Sequence, residues 1–279
     1  MSSHWGKCAL CGKECELTFE HIPPRKAFNW FPQKSFSGDS LFKTLSEEER
    51  KPWDFSSLPY NNDQRGMGKY SLCESCNSLT GSWYGDEYVR FARGLHSVLS
   101  GMDVIPGKTT VEVEGKFKPL LVIKQIISMF CSINSYYGED SPVQQLRNFV
   151  LNKESTNFPK DRFRLGMYLF SNGIERRANF SVNLNMQNAA THMRIVSEIS
   201  AYPLGYLLYL DPAPDFKMPC PDITCFSDCK YTDECTIKID LPVYECNTII
   251  AEDYRSKQEL DACIMQNKKW NEDHARKLE

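Results

Sequence analysis

The sequence predicts an α+β fold in which a small zinc-stabilised module precedes a larger region of mixed helices and strands. Two Cys-x-x-Cys segments lie on either side of a long stretch interrupted by Pro and Gly, a pattern typical of a metal-stabilised module. After Gly101 the pattern changes to strand-like segments and apolar, helix-like segments. We therefore expect two parts, residues 1–100 and residues 101–279.

The N-terminal part contains short predicted elements separated by a long insertion. Residues 17–21 alternate as a short strand, which the following Pro-Pro pair ends. Residues 25–68 form an irregular insertion, and long insertions in compact domains tend to carry function. A second short strand, residues 69–72, leads into a helix over residues 77–99. The insertion has enough aromatic side chains to pack rather than to stay disordered: Trp30, Phe31, Phe36, Phe42, Trp53 and Phe55.

The C-terminal part is predicted to contain three helices and a set of strands. Residues 118–136 form a buried apolar helix, residues 142–152 a helix with Pro in its first turn, and residues 254–267 an amphipathic helix. Residues 268–279 are charged, which predicts a solvated end. Alternation and short β-rich runs predict six strands: 109–114, 162–170, 180–185, 193–201, 204–210 and 235–243.

The composition is that of an ordinary globular protein and limits the functional classes. Of the 279 residues, 41% are hydrophobic, 12% aromatic and 25% charged, which permits a sizeable core. The net charge of −3 argues against a protein that coats nucleic acid, but it permits a local basic groove. The sequence contains neither a signal-peptide pattern nor a run of about 18 apolar residues. We therefore expect a cytoplasmic protein without membrane contact.

The cysteines indicate a metal site. Twelve cysteines without a signal peptide point to metal binding rather than to disulfides. Four thiolates from two Cys-x-x-Cys turns can surround one Zn²⁺ ion at about 2.3 Å, and they leave no open position for water. Cys15 is a less favourable alternative ligand, and a redox role would need only one pair in a thioredoxin-like setting. The predicted ligands of this structural zinc are Cys8, Cys11, Cys73 and Cys76.

A second set of side chains near the zinc site predicts catalytic chemistry. His21 ends a short strand and can act as a general base on water. Glu20 and Asn77 supply the oxygen ligands that Mg²⁺ or Mn²⁺ prefers, and such an ion stabilises charge that develops on a phosphate. Asn77 directly follows the second cysteine pair. It is also suited to cap a helix, whose start would favour a phosphate.

Four basic residues close to this set in sequence are candidate substrate contacts. Positive side chains beside a hydrolytic centre can bind the phosphate backbone of a nucleic acid. Ordinary solvated charge is the alternative interpretation. The four residues are Arg25, Lys26, Arg65 and Lys69.

These motifs resemble the HNH endonucleases of the ββα-metal type, which have a treble-clef-like fold. The resemblance rests on the two cysteine pairs, on the Glu-His-Ile-Pro-Pro segment at residues 20–24 and on Asn77. It covers residues 5 to about 95. It implies that Glu20 and Asn77 ligate a catalytic Mg²⁺ or Mn²⁺ and that His21 activates water.

One position departs from the pattern of that family. The family places an Asn just upstream of the second cysteine pair, where this chain has Gly68. Asn61 or Asn62 would then supply the amide that orients His21. The insertion between His21 and the second cysteine pair is also longer than in compact members of the family.

The resemblance implies an enzyme that hydrolyses phosphodiester bonds of DNA, with RNA as an alternative substrate. Standalone bacterial proteins of this type often serve in restriction or anti-phage defence. The C-terminal part would then be a sensor, a docking surface for a regulatory protein, a self-association surface or a region that sets DNA specificity. The alternative is a non-catalytic zinc module that binds nucleic acid or protein, which the Gly at position 68 and the acidic pI favour.

A second group of cysteines lies in the C-terminal part at irregular spacings that match no common zinc pattern. A loop with free thiols is the main interpretation and a second metal site is the alternative. These residues are Cys220, Cys225, Cys229 and Cys235. Cys131, Cys246 and Cys263 fall in predicted regular elements and are expected to be buried as small apolar residues.

Overall fold

Five short strands build the N-terminal module. They are β1 (Trp5–Lys7), β2 (Glu14–His21), β3 (Gln33–Ser35), β4 (Asn61–Asp63) and β5 (Gly68–Cys73). An antiparallel sheet contains three of them in the order β1-β2-β5, whereas β3 and β4 form a separate hairpin within the insertion. This computed structural model describes residues 4–38, 50–135, 141–185 and 192–275.

The helical segment after β5 begins earlier than the sequence predicts. It consists of α1 (Glu74–Thr80), one π-helical turn (Gly81–Gly85) and α2 (Asp86–Ser100). The prediction that the helix begins at Asn77 is wrong, because Cys73 is the N-cap: its backbone is extended and its Sγ accepts the Cys76 N–H. The π-helical turn carries Tyr84 inward, where its hydroxyl donates to the Val150 carbonyl at 2.8 Å.

A six-stranded sheet forms the centre of the C-terminal part. Its strands are β6 (Thr110–Phe117), β7 (Phe163–Gly173), β8 (Arg176–Asn185), β9 (His192–Ala201), β10 (Leu204–Leu210) and β11 (Cys235–Cys246). The strand order is β6-β11-β7-β10-β9-β8, and neighbours are antiparallel except for β11 and β7, which are parallel. All six predicted strands are present, so the predicted α+β class is confirmed.

Three helices accompany this sheet. They are α3 (Pro119–Ile133), α4 (Val143–Leu151) and α5 (Lys257–Ala275). Every residue of α3 is buried, as its almost uniformly apolar sequence predicts. The predicted start of α5 at residue 254 is wrong because Ser256 and Glu259 form a capping box, in which each side chain accepts the backbone N–H of the other. Among the described side chains of α5, Leu260 is buried and Cys263 and Ile264 on the same face are half-buried, whereas most of the others are exposed.

The aromatic side chains of the insertion pack only in part. Phe36 is half-buried and contacts Phe55, with 5.4 Å between the ring centroids. Trp30 and Phe31 stack on each other with 3.8 Å between the ring centroids, and both stay exposed. Phe42 lies outside the described residues.

One apolar core joins the two parts of the chain. Its buried members include Leu10 beside the first cysteine pair, Tyr84 in the π-helical turn and residues of α3 and the six-stranded sheet. The division into residues 1–100 and 101–279 stays a prediction, since described residues of both parts contribute to this core. Within the described residues, no helix is both long enough and apolar enough to cross a lipid bilayer.

Candidate metal centre and the polar site beside it

Four cysteine side chains converge where β5 meets α1. Their Sγ atoms all lie within 4.8 Å of one another, and two of them, from Cys11 and Cys73, are 3.9 Å apart. Sulfur atoms at about 2.3 Å from a tetrahedral zinc ion are about 3.8 Å from each other, so the spacing suits such an ion. The predicted cluster is therefore confirmed as a group that can hold a metal ion: Cys8, Cys11, Cys73 and Cys76.

A tight turn places the first cysteine pair. The Gly12 N–H donates to the Cys8 carbonyl and the Cys8 N–H donates to the Lys13 carbonyl, both at 2.9 Å. Gly12 has a φ of 72°, in the left-handed region that glycine enters without a Cβ clash. The turn therefore brings the thiols of Cys8 and Cys11 to the same side, facing the second pair.

Backbone amides point at the sulfur atoms. The Cys73 N–H donates to Cys8 Sγ at 3.3 Å, and the Cys76 N–H donates to Cys73 Sγ at 3.4 Å. Such bonds favour thiolates. The hydrogen bond between the side chains of Cys8 and Cys76 lowers the pKa of Cys8 to about 4 and raises the pKa of Cys76, because the two sulfur atoms share one proton. A bound cation would let all four thiols ionise.

The other candidate ligands do not join this cluster. The Cys15 thiol donates to the Lys13 carbonyl at 3.4 Å and lies outside the group of four. In the second cysteine group, the Sγ atoms of Cys229 and Cys235 are 3.9 Å apart, while Cys220 is buried and Cys225 is exposed. Across the described residues, this second group brings no three ligands together.

All twelve cysteines are free thiols. Cys131 and Cys246 are fully buried, as predicted. The same prediction is wrong for Cys263, which is only half-buried because α5 is largely exposed.

Glu20 and His21 are the last two residues of β2. They pair with Lys69 and Gly68 of β5, so the start of β5 lies directly beside them. Successive side chains of a strand point to opposite faces. Accordingly, Glu20 is buried at 4% exposure, whereas His21 is half-exposed on the other face of the sheet.

A backbone carbonyl orients the His21 ring. The Nε2 atom of His21 lies 3.0 Å from the Arg65 carbonyl oxygen, and only an N–H at Nε2 can donate to it. In the neutral ring this tautomer leaves Nδ1 as a proton acceptor. Burial lowers the pKa of His21, the hydrogen bond to Arg65 raises it, and the charges of Arg25 and Arg65 lower it further. The ring is thus favoured in the neutral form that a general base requires.

The Glu20 carboxyl group is buried without a complete set of partners. Its Oε2 atom has no hydrogen-bond partner. Burial, and to a smaller extent the Cys8 thiolate, raises the pKa of Glu20 to about 8. In the metal-free protein the group is therefore mostly protonated near pH 7.

Asn77 connects α1 to β2. Its Nδ2 donates to Thr18 Oγ1 at 3.0 Å and to the Phe19 carbonyl at 3.4 Å. These bonds fix the amide next to the strand that ends in Glu20 and His21, and they leave the Oδ1 atom available. The predicted N-cap role of Asn77 is wrong, because Cys73 holds that position.

A residue that the sequence analysis missed holds the loop around His21. The buried Asn29 side chain donates to the carbonyls of Pro23 and Met67, both at 2.6 Å, and accepts the Met67 N–H at 2.7 Å. It therefore ties the Pro-Pro turn to the segment that presents the Arg65 carbonyl. No local pattern indicates this role, since Asn29 lies amid the aromatic insertion.

The residues expected to orient His21 lie elsewhere. Asn61 and Asn62 are exposed on β4, where they pair with β3. At Gly68, a Cβ atom would lie 2.1 Å from the Glu20 carbonyl oxygen and 2.7 Å from the Phe19 ring. No side chain fits at position 68, so the orienting group is the Arg65 carbonyl rather than an Asn side chain.

Two of the four candidate phosphate contacts lie near His21. Arg25 and Arg65 are exposed and close enough for their charges to lower the pKa of His21. Lys26 instead forms an exposed ion pair with Asp86 at 3.9 Å. The Lys69 ammonium group donates to Ser135 Oγ at 3.0 Å and is not directed toward His21.

The C-terminal sheet touches the same segment. The Arg177 side chain, which projects from β8 and is largely buried, donates from Nε to the Ile22 carbonyl at 2.7 Å and forms an ion pair with Glu175 at 3.1 Å. This contact, which links positions 155 residues apart, fixes the backbone directly after His21.

Comparison of the chain with protein-family models, with curated proteins and with solved structures found no match.

The zinc content of the purified protein tests the assignment of the four cysteine ligands. We expect about one zinc ion per chain in the purified protein, and Cys76→Ser should abolish its binding and lower the melting temperature. Cys15→Ser is the matched control. It should keep the zinc ion and the wild-type melting temperature, because Cys15 lies outside the cluster. Elemental analysis and thermal unfolding measure the two effects. Metal loss in Cys15→Ser, or full metal content in Cys76→Ser, would contradict the ligand assignment.

The stability of a Gly68 variant tests the close approach of β5 to β2 at this position. Gly68→Ala should destabilise the protein by about 2 kcal/mol or more, because its Cβ would clash with backbone. Gly81→Ala is the control, since a Cβ there meets nothing within 4 Å, and alanine favours helix by up to about 1 kcal/mol. Urea unfolding measures the free energy of unfolding of both variants. Equal stability of the two variants would contradict the proposed strand geometry.

Proposed function

We propose that the protein is a metal-dependent endonuclease that hydrolyses phosphodiester bonds of DNA by HNH-type chemistry. The observation that carries this proposal is the setting of His21: its Nε2 is hydrogen-bonded to a backbone carbonyl, which leaves Nδ1 as the acceptor, and the charges of Arg25 and Arg65 help to lower its pKa. We also propose a cytoplasmic location and a role in bacterial restriction or anti-phage defence, both of which rest on the resemblance in motifs alone.

The metal of the cysteine cluster is, in this proposal, a structural Zn²⁺. Four thiolates saturate a tetrahedral ion and leave no position for water or substrate. Its contribution is to fix β5 and α1, and through them the positions of Asn77 and of the strand end that carries His21.

In this proposal, Glu20 and Asn77 hold a second, hard cation, which requires the Glu20 carboxyl group to ionise and to turn from the buried face of the sheet toward His21. Glu20 has a buried carboxyl oxygen without a hydrogen-bond partner, and within the described residues the hydrogen bonds of the Asn77 side chain use Nδ2 and not Oδ1. Oxygen donors of this kind suit Mg²⁺ or Mn²⁺, which keeps several waters as its other ligands. When bound, such an ion stabilises negative charge that develops on a phosphate and on the leaving oxygen.

The proton transfer belongs to His21. Nδ1 accepts a proton from the water whose oxygen attacks phosphorus, while the Nε2 hydrogen bond to the Arg65 carbonyl holds the ring in place. The guanidinium groups of Arg25 and Arg65 bind the phosphate backbone and orient it. The bond from phosphorus to the sugar oxygen breaks as the new bond from phosphorus to water oxygen forms.

A second candidate function is a zinc module that binds nucleic acid or protein without catalysis. The burial of Glu20 favours it, because a carboxyl group with a pKa near 8 is a weak ligand at neutral pH. In the described residues, no third His, Cys, Asp or Glu side chain joins Glu20 and His21 in one cluster.

A plasmid assay decides between the two functions. The protein should nick or cut supercoiled plasmid in the presence of Mg²⁺ or Mn²⁺, and His21→Ala should reduce the rate by about 100- to 10,000-fold, the usual contribution of a general base. His274→Ala is the matched control, because His274 is half-exposed on α5, far from His21 in sequence, and should be dispensable. Agarose gels measure the cleavage.

Equal cleavage by the wild type and His21→Ala would contradict the proposed role of His21. No cleavage by the folded, zinc-loaded wild type with either ion would favour the non-catalytic module. Zinc content and circular dichroism of each variant show that it is folded.

A further inference from the structure

A row of aromatic side chains crosses the outer face of the N-terminal sheet and ends at His21. We call His4, Tyr70, Phe19 and His21 the aromatic row. The His4 ring stacks on Tyr70 with 3.5 Å between centroids and 17° between planes. Tyr70 and Phe19 contact edge to face at 5.4 Å, and Phe19 and His21 do so at 5.1 Å.

Strand geometry places these rings on one face. Phe19 and His21 are two residues apart on β2, and Phe19 pairs directly with Tyr70 of β5. Glu20 lies on the opposite, buried face. The row therefore lies on the side of the sheet from which water and substrate would reach His21.

The row is open to solvent along part of its length. Tyr70 is 38% exposed and His4 is exposed, while Phe19 and His21 are half-buried. Cross-strand aromatic pairs stabilise a small sheet, but that role does not require the exposure that Tyr70 has. His4 covers one face of the Tyr70 ring, which shows that a planar nitrogen heterocycle fits there at van der Waals distance, and a base that stacks on this face would replace His4.

Positive side chains lie at the His21 end of the row. Arg25 and Arg65 are exposed there, and within the described residues neither forms an ion pair. A polyanion is therefore attracted to the His21 end.

We propose that the aromatic row binds the bases of a single-stranded stretch of DNA whose backbone phosphate lies between Arg25, Arg65 and His21. Base–aromatic stacking is the usual way in which proteins hold single strands, and it tolerates any sequence. In a duplex the base faces are already stacked on one another, so a duplex cannot use the row. This inference rests on the proposed function and specifies its substrate as unpaired DNA, such as the locally melted stretches of a supercoiled plasmid.

Binding measured without cleavage tests the inference. Fluorescence anisotropy of the full chain, loaded with zinc and without Mg²⁺ or Mn²⁺, compares a single-stranded oligonucleotide with the duplex of the same sequence. We expect tighter binding of the single strand, and a loss of roughly 5- to 150-fold in Tyr70→Ala, the usual effect of removing one stacking ring. Tyr70→Phe should bind as the wild type does.

The matched control is Trp270→Ala. Trp270 is 59% exposed on α5 and stacks on His274 at 3.8 Å, so it resembles the Tyr70–His4 pair without lying near His21 in sequence. This variant should keep wild-type affinity. Equal binding of duplex and single strand, or an equal loss in Trp270→Ala and Tyr70→Ala, would overturn the inference.

A second measurement uses the wild type and does not depend on the folding of a variant. Ultraviolet crosslinking of a single strand that contains 5-iodouracil, followed by peptide mapping, should label Tyr70 or Phe19. Labelling confined to other segments would overturn the inference. Failure of the nuclease proposal is distinguishable, because it leaves single-strand binding intact but abolishes plasmid cleavage, whereas failure of this inference leaves cleavage intact.

Discussion

The convergence of four thiols is the interaction on which the N-terminal module depends. Cys11 and Cys73 are 62 positions apart, and the insertion between them carries exposed aromatic rings and only short strands. Ordering such a long loop is costly in conformational entropy. A structural zinc site contributes about 10–16 kcal/mol, which is large enough to offset that cost. The metal that we propose would therefore stabilise the fixed structure of this part of the chain.

The cysteine cluster also fixes the positions of Glu20, His21 and Asn77. Cys73 ends β5 and also caps α1, so one side chain fixes both the strand that pairs with β2 and the helix that carries Asn77. The pairing of β2 with β5 then sets the direction of Glu20 and His21. Arg177 adds a restraint from the C-terminal sheet by binding the Ile22 carbonyl. Glu20, His21 and Asn77 are thus positioned both by the N-terminal module and by the C-terminal sheet.

The sequence predicts features that arise from local pattern. The cysteine spacing predicts the metal cluster, the apolar run predicts α3, and alternation gives β10 at its observed bounds of Leu204–Leu210. It does not predict Asn29, since that side chain joins segments 38 residues apart. It also misplaces the start of α1, because a cysteine sulfur rather than a Ser, Thr, Asp or Asn oxygen is the cap.

In the proposed mechanism, the metal cluster holds His21 in one neutral tautomer through β5 and the Arg65 carbonyl. Nitrogen-15 NMR of the imidazole groups tests it most directly, and comparison with a His21→Gln spectrum assigns the signal among the five histidines. We expect His21 at pH 7 to be neutral with its proton on Nε2, and to become an exchanging mixture of tautomers when a chelator removes the zinc. A His21 signal that is charged at pH 7, or that is the same with and without zinc, would contradict the account.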